Sequence, residues 1–365
     1  MNTRVKRFVL PLGGAVIATG MIAATLTTSA TAATTAAAPA SDGLATSKAQ
    51  ALKTVKAWTA GNGKRLKAAA KFTDDAAVQG KIKLGGGDAA PDGKTGVVPP
   101  IGQEKITPTK VKNVNLPRTI GKVFFRLDGK DYWCSASSIQ GKYRNLVATA
   151  GHCVYDVDGN RDTLDEWVFI PGYYQGKAPW GIYVGKSAYT HYDFANYEDF
   201  DSDYAFVTVY NGVTAASWNS PKWVDAGRLG DNVGGQGFSW NQRIGQLVYA
   251  FGYPAGPHPD GDMPYTGLTP KYCYGKTVAA GAASAFKAEA QVAIKCSMTA
   301  GSSGGPWIAQ YSSTKRLGYI NGVTSLVGDS DGNQRYDFAT SPYFDSETYA
   351  IYKAAANLWS GSITK

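Results

Sequence analysis

Apolar and polar positions divide the chain into stretches of different period. From Phe8 to Leu26 the positions are apolar or small, behind Arg4, Lys6 and Arg7 and ahead of Ala30-Thr31-Ala32. A basic start, an apolar run and a small-x-small site in that order predict a secretory signal peptide over residues 1–32, cleaved after Ala32. An uncleaved membrane anchor is the alternative, since the run approaches bilayer-spanning length. Pro11 and three glycines interrupt it, which favours cleavage. No other stretch reads as transmembrane.

Over residues 45–73 the period is helical. Leu52, Val55 and Trp58 fall at threes, and Leu66, Ala69 and Phe72 repeat that spacing after Gly61-Asn62-Gly63. This predicts two short amphipathic helices with a break between them. From Gly80 to Pro117 a triple glycine, Pro99-Pro100 and scattered lysines stand among few large apolar residues, the composition of a linker. Residues 33–115 therefore read as a pro-segment with its linker. A small surface-binding appendage that stays attached is the alternative.

Past Arg118 the pattern turns to short apolar runs punctuated by Gly, Asp and Asn. Val123-Phe124-Phe125, Asn145-Leu146-Val147-Ala148, Trp167-Val168-Phe169-Ile170, Tyr204 to Val209 and Leu247 to Phe251 are examples. Many short strands with turn punctuation predict an all-β sandwich or a pair of barrels. One late helix is expected over Ser346 to Trp359, where Tyr349, Tyr352, Ala356 and Trp359 fall at threes and fours.

Charge changes this picture by subtraction. The formal charge of +9 suggests a nucleic-acid binder until it is mapped along the chain. Residues 43–112 carry thirteen Lys/Arg against five Asp/Glu, whereas residues 113–365 carry 21 against 22. The segment expected to persist is nearly neutral and has no basic stripe, so neither nucleic acid nor a membrane surface is an expected partner of the mature domain.

Cys134, Cys153, Cys273 and Cys296 are the complete cysteine set. An even count behind a secretory signal points to disulfides, and four cysteines allow three pairings that sequence cannot choose among. Nearest-neighbour pairing closes loops of about 20 and 24 residues, each worth ~3 kcal/mol on the loop-entropy account. A zinc site is the weaker reading, because no short Cys-x-x-Cys clamp is present.

Two stretches carry candidate chemistry. His152 ends Val147-Ala148-Thr149-Ala150-Gly151-His152-Cys153, directly after an apolar strand, whereas His191 lies in a Tyr-rich polar stretch and His258 is bracketed by prolines. A histidine held at a strand end has the fixed backbone that a general base needs. Ser303 lies in Cys296-Ser297-Met298-Thr299-Ala300-Gly301-Ser302-Ser303-Gly304-Gly305-Pro306-Trp307. Glycines on both sides allow a tight turn whose N–H groups converge while the hydroxyl stays reachable. A flexible Ser-Gly loop is the bland alternative, and the Pro306-Trp307 strand start after it counts against that reading.

Together these stretches resemble the trypsin/chymotrypsin-like serine proteases, closest to the secreted bacterial branch that includes glutamyl endopeptidases. The likeness covers about residues 118–360. It implies an all-β fold of two six-stranded antiparallel β-barrels, a first over about 118–212 and a second over about 225–345, with the site in the cleft between them. With the C-terminal helix, these make up a protease domain over 116–365, behind the signal peptide and pro-segment. It further implies that Ser303 is the nucleophile, His152 the general base, and Asp203 in Asp203-Tyr204-Ala205-Phe206-Val207 the orienting carboxylate. Asp193, Asp199 and Asp201 compete for that last role but lack the immediate apolar strand. The N–H groups of Gly301 and Ser303 are the implied oxyanion hole, and Cys134 with Cys153 the pair bracing the histidine loop.

Signal peptide and resemblance together predict a secreted, extracellular, monomeric endopeptidase that acts on protein or peptide substrates through an acyl-enzyme, with no metal or organic cofactor. The specificity pocket is expected around Ser297, Met298, Thr299, Thr324 and Ser325. It holds no acid to select Arg or Lys, and Thr324 stands where glutamyl-specific relatives carry a histidine, so a small polar or mildly apolar pocket is expected. An inactive secreted binding protein on the same fold is the alternative. A lipase or esterase also satisfies Gly-x-Ser-x-Gly, but its triad runs serine, acid, histidine, and His152 precedes Ser303 by 151 residues. Ser302 departs from animal digestive relatives, where an aspartate at that position receives the new amino terminus. The expectation is therefore an oxyanion loop ordered without that ion pair.

Overall fold

A computed structural model describes residues 39–72, 77–78, 89–102, 116–156, 162–218, 220 and 222–364. The signal-peptide expectation for residues 1–32 lies outside the described residues, as does most of the linker.

Four short strands precede residue 116: β1 (Pro39–Gly43), β2 (Ala70–Lys71), β3 (Ala77–Val78) and β4 (Gly96–Val98). Then come β5 (Ile120–Leu127), β6 (Lys130–Ile139), β7 (Leu146–Thr149), β8 (Asp165–Pro171), β9 (Tyr183–His191) and β10 (Ala205–Val209). A small hairpin, β11 (Gly212–Thr214) with β12 (Val224–Gly227), leads to the second half. That half holds β13 (Gly237–Trp240), β14 (Leu247–Gly252), β15 (Lys271–Lys276), β16 (Val278–Ala279) and β17 (Gln291–Lys295). It ends with β18 (Pro306–Ser312), β19 (Leu317–Val323), β20 (Val327–Gly328) and β21 (Phe338–Pro342).

The antiparallel order β9-β10-β7-β6-β5-β8 closes on itself through a β8–β9 pairing, which makes one six-stranded barrel. Its interior takes alternate side chains, among them Val123, Phe125, Cys134, Val147, Trp167, Phe169, Ala205 and Val207, all buried. The residues between them, such as Phe124, Val168 and Ile170, point outward and are buried as well. That double burial is why these strands read as apolar runs and not as alternation. The cover for the outer face comes partly from the second half, with Phe206 packed on Phe238 and Tyr352, and partly from the N-terminal segment. A helix over Lys48–Ala68 starts in a capping box at Ser47 and Gln50, breaks its helical geometry at Ala60–Gly63, and buries Ala51, Val55, Trp58 and Leu66 against the barrel.

The expected second six-stranded barrel is not formed. Past residue 237 the strands build two open sheets, β15-β14-β18-β19-β13-β4 and β16-β17-β21-β20-β3. β15 and β16 are consecutive but turn at Thr277 to join different sheets, one on β14 and the other on β17. The edges that closure would use are already paired with strands from the N-terminal segment, β13 with β4 and β20 with β3. A strand edge offers one row of donors and acceptors, so an edge satisfied in this way cannot also close a barrel. The fold is thus one closed barrel, two open sheets and a C-terminal helix.

That helix spans Ser346–Ala356, three residues short of the expected end. Asp345 caps it by accepting from the Thr348 N–H at 2.9 Å, and the chain leaves helical geometry at Asn357. Tyr349 stacks on Trp240 with ring centroids 3.9 Å apart, and Tyr352 on Phe238 at 4.3 Å.

Candidate active site

Strand register brings the first two groups together. β7 and β10 are antiparallel neighbours with Thr149 opposite Ala205, so the residues just after β7 and just before β10 meet at one end of the barrel. A single 3-10 turn over Gly151–Cys153 comes after β7 and carries His152. Gly151 is required there, because a Cβ would lie 2.4 Å from the Phe194 ring. Cys153 is bridged to Cys134 on β6, which ties the turn to the barrel wall. Asp203 is fully buried and accepts twice from the same residue: the His152 N–H at 3.0 Å on Oδ1, and His152 Nδ1 at 2.9 Å on Oδ2. The Ser325 hydroxyl donates to Oδ2 at 2.6 Å. Three donors compensate a carboxylate that would otherwise be costly to bury, and they hold the imidazole with Nδ1 protonated.

The serine turn is built by glycines in the literal sense. Gly301 and Gly304 have φ of +93° and +76°, in the region that L side chains rarely adopt. A Cβ on Gly304 would lie 2.0 Å from Thr149 Oγ1 and 2.4 Å from the Ser135 carbonyl, so the turn is pressed against the end of β7 that leads to His152. Ser135 on β6 donates its N–H to the Ser303 carbonyl at 2.8 Å and its hydroxyl to the Gly301 carbonyl at 2.8 Å. On the other side Gly304 donates to the Thr324 carbonyl at 2.8 Å. Among the described residues, the N–H groups of Gly301 and Ser303 have no hydrogen-bond partner, while those of Ser302, Gly304 and Gly305 do. Two free N–H donors, one on either side of Ser302 in sequence, beside a half-exposed serine can take up a developing oxyanion. Ser302 is buried, and its hydroxyl donates to the Thr299 carbonyl at 2.7 Å, so the turn is held locally without a carboxylate.

The competing aspartates have other work. Asp201 accepts the N–H groups of Glu289 and Ala290 at 2.9 to 3.0 Å, and burial pushes its carboxyl up to about 6. Asp199 accepts from the Asp201 N–H, and Asp193 approaches His191 at 3.7 Å.

The candidate pocket residues divide. Ser297 is on the surface and pairs with the Tyr265 hydroxyl at 2.9 Å, Met298 is buried, and Thr324 accepts from Trp307 Nε1 at 3.0 Å. With the Ser325 hydroxyl directed at Asp203, the free hydroxyl of this set is that of Thr299, buried and without a partner. Cys273 is bridged to Cys296 at the start of the loop. Cys134, His152 and Cys153 lie close enough to suggest a metal cluster, but both sulfurs are consumed in the disulfide and offer no thiolate.

Three features escape sequence reasoning. Ser325 completes the set of donors around Asp203 from 122 residues away. The His152 ring lies between two aromatic rings, Phe200 and Phe72, each with its centroid 6.1 Å away. The buried Lys122 ammonium sits 3.2 Å from the Trp133 ring centroid, with Tyr173 and Tyr253 beyond, and burial holds it well below the usual lysine value. Only Phe200 carried a local signal, as an aromatic beside the aspartate-rich stretch.

The trypsin-like peptidase domain family matches residues 134–313. The protease Anisep from Arthrobacter nicotinovorans is 31% identical, over 67% of this chain and 97% of that one, with a TM-score of 0.54. The thermostable serine protease AL20 from an extremophilic microorganism is 30% identical, over 66% and 97%, with a TM-score of 0.53. A Glu endopeptidase shares 17% identity over 69% and 98%, at a TM-score of 0.46, a likeness too distant to weigh. No curated protein matches the chain.

Proposed function

Because this chain belongs to the trypsin-like serine peptidase family, we propose that its endopeptidase activity on peptide substrates is carried by Ser303, His152 and Asp203. The supporting observation is the buried Asp203 carboxylate, which receives both the backbone N–H and the Nδ1 of His152 at the end of the barrel where the Ser303 turn is pressed. Ser303 Oγ attacks the scissile carbonyl, His152 Nε2 takes the hydroxyl proton, and the Gly301 and Ser303 N–H groups receive the oxyanion. The imidazolium then protonates the leaving amine, and water repeats the sequence on the acyl-enzyme. Asp203 holds the imidazole in place and stabilises the imidazolium.

Ser303→Ala removes the nucleophile and leaves the turn intact. Its kcat on a peptide substrate is expected to fall by about 10³-fold or more with the melting temperature retained. Undiminished hydrolysis by the purified variant would overturn the assignment, and failure of the wild type to label with an organophosphonate would favour the inactive binding protein. The pocket is proposed to be small and polar or mildly apolar, with Thr299 as its free hydroxyl. A peptide library fixed in turn at P1 checks this, and a dominant Arg/Lys signal would refute it.

The remaining reading is of a secreted monomer whose residues 1–32 and 33–115 are removed. Two disulfides suit an oxidising compartment. The solved relatives lie almost wholly within two thirds of this chain, and no helix among the described residues is long and apolar enough to cross a membrane. Amino-terminal sequencing of protein recovered from culture medium tests the reading; a start at residue 1 would contradict it.

A further inference from the structure

The turn that leads into Asp203 is clasped by three successive residues from the other half of the chain. A single 3-10 turn over Phe200–Ser202 precedes Asp203, and the start of β17 lies against it. Asp201 accepts the N–H groups of Glu289 and Ala290, and the next residue, Gln291, reaches the turn with its side chain. Gln291 is 2% exposed. Its Nε2 donates to the Phe200 carbonyl at 2.6 Å and to the Ser325 hydroxyl oxygen at 3.3 Å. Ser325 has one hydroxyl proton, and that proton goes to Asp203 Oδ2 at 2.6 Å. Towards Gln291 the hydroxyl can therefore only accept. The hydrogen bonds run in one direction, from Gln291 to Ser325 to Asp203, and the carboxylate receives His152 from the other side.

Both neighbours of this amide are acceptors, so it must present its nitrogen to them. Its Oε1 is left buried with no partner among the described residues. A buried acceptor without a donor destabilises the fold. An apolar side chain of similar size would remove that cost and strand nothing. The Phe200 carbonyl also receives the Asp203 N–H at 3.2 Å, and the Ser325 hydroxyl keeps Asp203 as its acceptor. Stability of the fold thus gives no reason for a glutamine at this position.

We propose that Gln291 is a positioning residue for the peptidase reaction, whose amide directs the Ser325 hydroxyl at Asp203 and fixes the Phe200 carbonyl so that His152 is held at one angle. This rests on the triad reading and adds to it a residue that touches no reacting atom. A donor on the Ser325 oxygen polarises its O–H and strengthens the bond to Asp203, since successive hydrogen bonds reinforce one another. The Phe200 carbonyl belongs to the residue whose ring is stacked on His152, with centroids 6.1 Å apart and an interplanar angle of 20°. That ring is seated edge-on against Phe194 and Phe286 at 5.7 and 5.5 Å, so a shift of the turn moves it against His152. The charged groups around the turn are Asp199, Asp201 and Glu289, with Asp193, His191 and Lys287 beyond. Replacing Gln291 by an apolar residue changes none of them.

The test compares purified wild type with Gln291→Met and Gln291→Leu. Met keeps the length and flexibility of glutamine, so it serves if the branched Leu does not fold. Measured are the melting temperature, and kcat and KM on one peptide substrate over about pH 5 to 9. Both variants are expected to melt within about 4 °C of the wild type or above it. KM should stay within about twofold, while kcat falls about five- to tenfold, the scale of one neutral hydrogen bond. The acid limb of kcat/KM should move up in pH, because a carboxylate with a weaker Ser325 bond holds the imidazolium proton more strongly. A folded Met variant with wild-type kcat and an unmoved acid limb overturns the proposal. So does a melting temperature lowered by more than about 4 °C in the Met variant, which would show that the amide is kept for stability. Either result leaves the triad standing. Undiminished hydrolysis by Ser303→Ala overturns the triad reading instead, whatever the Gln291 variants do.

Discussion

At the scale of single residues, burial and partner count distinguish four nearby aspartates that look alike in sequence. Asp203 is enclosed and receives three donors, two of them from His152. Asp201 is half-buried and serves a different purpose, as the anchor of the Glu289–Ala290 backbone, and it carries a carboxyl raised from 3.8 to about 6, chiefly by burial. A raised carboxyl means that the folded state binds more protons than the unfolded one between those values. Stability contributed by the neutral form is therefore present near pH 4 and is lost as pH rises towards 6, after which the dependence levels off. Asp201→Asn, which cannot titrate, should lack that slope. Melting temperatures of both proteins from pH 4 to 7 check this, and parallel curves across pH 4 to 6 would show that Asp201 is not the group responsible. The Asp203-x-Ala205 strand start was legible in the sequence. The Ser325 donor was not, because nothing local to a serine 122 residues away marks it as a partner.

At the scale of elements, helical period up to Ala68 and apolar runs after residue 118 each predict the type of element that forms, whereas Ala70–Lys71, expected within the second helix, form a strand paired with β6. The break at Gly61-Asn62-Gly63 is where the helix loses helical geometry, as three successive residues with positive φ require. What the period leaves open is which surface the helix covers. It lies on the outer face of the barrel, where Trp58 is fully buried and its Nε1 donates to the Glu166 carbonyl at 2.6 Å. Arg65 completes the contact with Asp131 and Glu166 at 2.6 and 2.7 Å. Trp58→Ala in the full-length chain leaves both a cavity and an unsatisfied carbonyl, and a loss of about 3–5 kcal/mol is expected from denaturant unfolding. A change below about 1 kcal/mol would mean that the helix does not share the barrel's cooperative unit.

At the scale of the whole described molecule, one closed barrel and two open sheets give unequal protection to the backbone. β6, β7 and β10 are paired on both edges, whereas β15 is an edge strand whose alternate residues are exposed. Amide hydrogen exchange should therefore be slower in Leu146–Thr149 and Ala205–Val209 than in Lys271–Lys276, by a factor of about 10² or more. Equal protection across these strands would argue that the second half is closed after all. The sequence alone determined the class of element along the chain, the nearly neutral protease segment, and the identity of His152, Ser303 and Asp203 as candidates, because these depend on local period, local charge and short-range glycine geometry. Closure of the second half, the Ser325 donor, the placement of Phe72 over His152 and the use of β3 and β4 as edge strands were decided only in three dimensions. Each of them depends on which of several chemically equivalent edges or hydroxyls lies nearest in space, and a strand edge or a serine carries no mark of its distant partner until the chain has folded.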